Sequence, residues 1–135
     1  MNVNLPASRV IDIVFGFLPA VFVGFWALVG IISSFPPLFS GNSNRVNYLA
    51  FFLPSIIGFF ACISLMVVSI FQEQTKNKKL HIVLLAAGVI ETAILFIYFF
   101  SAMTSFSWLP LIAISIVAVA IKCIFMLSRA SEVQP

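Results

Sequence analysis

Charge is what this sequence lacks most. Only 8% of its 135 residues are charged, against about 25% in an ordinary soluble domain. So few charges cannot cover a water-facing surface, which excludes a soluble globular fold. Histidine occurs once and acids four times, as Asp12, Glu73, Glu91 and Glu132, widely separated along the chain. Catalytic and metal sites draw on clusters of such residues. The expectation is therefore a protein that is not an enzyme, with no metal and no cofactor. The two cysteines, Cys62 and Cys123, each lie inside an apolar run. There cysteine behaves as a small hydrophobe, and no disulfide framework is expected.

What is abundant is hydrocarbon. Hydrophobic residues make up 62% of the chain, and mean hydropathy is +1.19. Four apolar runs, over residues 10–32, 48–71, 80–100 and 109–127, each approach the roughly 20 residues that cross about 30 Å of bilayer core. The connections are too short to hold a folded unit. The reading is an all-α integral membrane protein: one domain over residues 1–135, built as a four-span up-and-down transmembrane helix bundle in the lipid bilayer. The first run exceeds the core of a secretory signal and no small-residue cleavage pattern follows it, so it is expected to stay as the first helix. Pro36 and Pro37 should stop that helix. The Gly41–Asn44 stretch supplies turn chemistry, which predicts a long loop lying in the interface.

The net charge of +3 sits at the ends of the runs and does not form a patch, which excludes nucleic acid as a partner. Arg9, Lys76, Lys78, Lys79, Lys122 and Arg129 fall on one side and Arg45 alone on the other. The positive-inside rule then puts both termini and the 72–79 connection in the cytoplasm. Tyr48, Tyr98 and Trp108 agree, as aromatic anchors at the outer boundary. A lean toward Phe, Ile, Asn and Lys points to a bacterial inner membrane.

Each helix carries a stripe of small or polar residues. On the first, Asp12, Gly16, Ala20 and Gly24 recur every four residues, and Pro19 should kink the helix nearby. Without a hydrophobic force between helices in lipid, small residues mark where backbones approach. Gly16, Ala20, Gly24, Gly58 and Gly88 are accordingly the candidate helix-packing residues. On the second helix, Ser55, Gly58, Cys62, Met66 and Ser69 share roughly an 80° arc at 3.6 residues per turn. On the third, His81, Gly88, Glu91, Thr92, Leu95 and Tyr98 share roughly 120°.

Glu91 stands near the middle of its run. An acid at that depth costs at least about 2.5–3.5 kcal/mol, so it needs protein or water around it and a partner. Lys122 on the fourth helix is one candidate; Cys62, Ser64 and Ser115 are others. Glu91, Thr92, Lys122, Ser115 and Cys62 form the candidate intramembrane polar site. Two functional classes follow. One is a non-enzymatic membrane protein that associates, through its stripes, with another membrane protein or with itself as a homo-oligomer, such as an accessory subunit or an immunity or defence component. The other is an oligomeric small transporter or channel in which Glu91 is the proton or cation site.

Overall fold

The computed structural model describes residues 6–40, 45–98 and 109–132, and all of its regular structure is helical. Helix α1 runs over Ala7–Phe39, α2 over Arg45–Phe71, α3 over Lys78–Tyr98 and α4 over Leu109–Glu132. All four are long and apolar enough to cross a membrane. The anchor Trp108, the loop before it and the Gly41–Asn44 turn lie outside the described residues, as does the side chain of Tyr98.

Two elements differ from the sequence expectation. Pro36 and Pro37 do not end α1, which continues to Phe39 and closes on a turn at Ser40. The extension is held by aromatic packing: Phe35 stands 5.0 Å from Phe39 and 6.1 Å from Phe52 of α2, centroid to centroid. The backbone bonds two prolines forfeit are thus offset by contacts that a local reading of the prolines does not see. The expected interfacial loop shrinks accordingly.

The second difference is a π turn over Ile13–Phe17, directly before Pro19. Its wider winding accommodates a proline whose ring would otherwise press on the preceding turn. It also has a packing consequence. At 3.6 residues per turn, residues four apart drift about 40° per step, which would carry Asp12 about 120° around from Gly24. The π turn takes more residues per turn and takes back part of that drift. Asp12, Gly16, Ala20 and Gly24 are all buried on one continuous face.

That face sets the antiparallel register of α1 on α2. A Cβ built on Gly24 would lie 3.3 Å from the Cys62 Cβ, one on Gly30 would lie 2.5 Å from the Ser55 Oγ, and one on Gly16 would lie 3.1 Å from the Ser69 Oγ. Along α2 and α3 the same logic holds, with Gly88 opposite Ala61 and Gly58 opposite Glu91. The Ser64 hydroxyl and His81 Nδ1 share a 2.8 Å hydrogen bond across that pair. The ring closes where α4 meets the π turn, with Val119 Cγ1 only 2.7 Å from the place of a Gly16 Cβ. Neighbours in sequence are neighbours in space, and the bundle is up-and-down.

The buried core is not centred. Leu65, Val68, Leu85, Cys123 and Leu127 pack together with Ala20 in the half of the bundle next to the 72–77 connection. The other half is where the candidate site lies.

Candidate functional site

Beyond Leu65, Leu85 and Ala120 the four helices border a partly open cavity of about 500 Å³. Small residues at the contact positions, Gly58, Ala61, Gly88 and Ala113, leave its walls thin. Two large side chains of α1, Phe22 and Trp26, also line it. The cavity is partly open to the surroundings of the bundle, so a lipid tail or a ligand can enter it.

Among the described residues, Glu91 is the one carboxyl group lining this cavity. Its position follows from the α2–α3 register: Gly58 presents no side chain, and the Glu91 carboxylate fills that gap, with Oε2 3.4 Å from where a Cβ would sit. Thr92 and Cys62 line the same cavity. The Thr92 hydroxyl donates to the Gly88 carbonyl of its own helix at 2.7 Å, so it is spent locally. Cys62 is a buried free thiol. Among the described residues no hydrogen bond or ion pair engages Glu91.

The remaining two members of the predicted polar site stand elsewhere. Ser115 donates to the carbonyl of Ile112 at 2.8 Å on its own helix and does not reach Glu91. Lys122 pairs with Asp12, its Nζ 2.5 Å from Oδ1, and a Glu91–Lys122 pair is corrected by that contact. The reason is register. Lys122 stands opposite Asp12 at the start of α1, whereas Glu91 stands opposite Gly58, several turns away along the α1–α2 contact. A lysine stem cannot bridge that distance while its head is held at the bundle's end.

The Asp12–Lys122 pair is a site that sequence reasoning missed. Asp12 is only 2% exposed, whereas the Lys122 side chain is 47% exposed. A buried carboxylate is sustained only when paired and hydrogen-bonded, and Gln72 supplies a further donor, its Nε2 3.4 Å from Oδ2. Gln72 reaches there because it ends α2 in a left-handed conformation, φ 50°. Arg9 donates to the Ile70 carbonyl at 2.6 Å. Lys78 donates to the Ala130 carbonyl at 3.2 Å. These bonds tie all four helices at one end. The available signal was the place of Asp12 on the Gly16–Ala20–Gly24 ridge, which already put it on a packing face.

The Gly16–Ala20–Gly24 ridge is fully used inside the bundle, against α2 and α4. It therefore leaves no small-residue ridge on α1 for a second subunit. His81, the first member of the stripe on the third helix, bonds Ser64 of α2. Among the described residues no group of three or more His, Cys, Asp or Glu side chains is placed to hold a metal ion.

The chain matches no family model, and neither curated proteins nor solved structures yield a match.

Proposed function

We propose that this chain is a non-enzymatic integral membrane protein whose work is the binding of a positively charged ligand at Glu91, inside the bilayer. It sits in a bacterial inner membrane with both termini and the Lys76–Lys79 segment on the cytoplasmic side. The observation that carries the reading is the unpartnered carboxylate on the wall of an otherwise apolar cavity. Intramembrane acids mark substrate and ion pathways, and packing needs alone would fill such a position with a hydrocarbon side chain. The Asp12 carboxylate, by contrast, is paired with Lys122 and Gln72 and serves closure of the bundle.

Stability separates the two roles of Glu91 without any prior assay of activity. A carboxylate held for binding is a cost to the apo bundle, so Glu91→Met, of similar volume, raises the thermal midpoint in detergent. If Glu91 is a packing group, Glu91→Met lowers it, and the binding reading fails.

A second reading is association with another membrane protein or with a second copy. It is favoured by the outward cluster of Phe22, Phe25 and Trp26, with Trp26 59% exposed and stacked edge-on against Phe25 at 6.2 Å. Tryptophan prefers the membrane interface, whereas Trp26 lies well inside its helix.

A further inference from the structure

We propose that the ligand is a hydrophobic primary amine, its ammonium on the Glu91 carboxylate and its apolar body lying along Phe22 and Trp26. This rests on the binding reading above and names the ligand class. Several observations converge on it. The cavity volume of about 500 Å³ falls within the range of small-molecule sites, roughly 300–1,000 Å³. Its walls are hydrocarbon apart from one acid, one thiol and one hydroxyl, and that hydroxyl already donates to its own backbone. A sugar or nucleotide would find too few polar partners there. An acid would face a carboxylate. A metal ion would need several oxygen ligands, and one carboxylate beside a thiol does not supply them.

An ammonium has what the site offers. It forms a charge-assisted bond with Glu91, and the resulting pair is net neutral, so the apolar cavity holds no uncompensated charge. Phe22 and Trp26, which line the same cavity, offer the apolar body aromatic surface to pack on. The ligand body supplies the apolar volume that the walls lack.

The test compares 4-phenylbutylammonium with pentylbenzene, in which a methyl group replaces the ammonium. Each is titrated against the protein in lipid nanodiscs of phosphatidylglycerol, read by the fluorescence of Trp26 in a Trp108→Phe background, with empty nanodiscs as the partition control. The amine is expected to bind saturably and about tenfold or more tighter than the hydrocarbon. Glu91→Gln brings the amine down to the level of the hydrocarbon, and Ala113→Phe, which fills the cavity, removes both signals. Should Glu91→Gln fail to fold, the amine–hydrocarbon comparison on the parent protein decides. If the two ligands bind equally and Ala113→Phe still blocks both, the cavity binds but the amine assignment is wrong. If neither binds saturably, the binding reading itself fails. Replacing the lipid with phosphatidylethanolamine separates sources: competition assigns the amine to a lipid headgroup, and undiminished binding assigns it to a free amine.

Discussion

Gly88→Ala is the sharpest test of the register that creates the cavity. A Cβ at Gly88 would lie 2.5 Å from the Cβ of Ala61 and 3.9 Å from its Cα. Carbon atoms rest about 3.5–4.0 Å apart, so α2 and α3 would have to part by about 1.0–1.5 Å. Neither methyl has a rotamer to relieve the contact, and the strain passes to the backbones. It reaches the Gly58–Glu91 contact one turn away and the Ser64–His81 hydrogen bond at the other end. Overpacking of this kind costs about 1–3 kcal/mol. Intrinsic helix propensity works the other way, favouring alanine over glycine by about 1 kcal/mol, so the net expectation is a loss of up to about 2 kcal/mol. The assay is reversible unfolding in mixed micelles, followed by circular dichroism, on the parent protein, Gly88→Ala, Ala61→Gly and the double variant. In the double variant the methyl has merely changed sides, and stability returns close to that of the parent. The sign makes the test decisive: if Gly88→Ala stabilises the protein, or the two changes add within about 0.5 kcal/mol, the helices do not meet as described.

The same unfolding assay addresses the polar end. Lys122→Met strands the buried Asp12 carboxylate with only the Gln72 amide and costs about 2–3 kcal/mol, the lower range because the lysine is partly exposed. In an Asp12→Asn background the same change costs less than about 1 kcal/mol; equal losses in both backgrounds would contradict the pair. Orientation is checked by a reporter fused or inserted at Lys76, which should report from the cytoplasmic side. A signal from the outside would invert the proposed topology.

The spans were legible in the sequence because hydropathy is local: about twenty apolar residues in a row announce a membrane-length helix wherever they lie. The stripe on α1 was legible for a similar reason, since a single helix has one period. Gly16, Ala20 and Gly24 do stand where α1 approaches other helices, and Gly88 where α3 approaches α2. Helix ends were less legible. Pro36 and Pro37 carry a strong local stop signal, yet Phe52 on a different helix outweighs it.

What lay beyond the sequence was the pairing of residues across helices. Lys122 and Glu91 have plausible depths for each other when each helix is measured from its own end. Depth in the folded bundle depends on how far each helix slides along its neighbour, and that is set by which small residues interlock. The π turn before Pro19 is one such determinant, for it keeps Asp12 on the face that meets α4 and so gives Lys122 its partner. With that lysine taken, Glu91 is left to the cavity between Gly58 and the α1 aromatics. A one-dimensional pattern states which faces are small and polar; the sum of contacts over four helices states which of them meet, and there the candidate site arises.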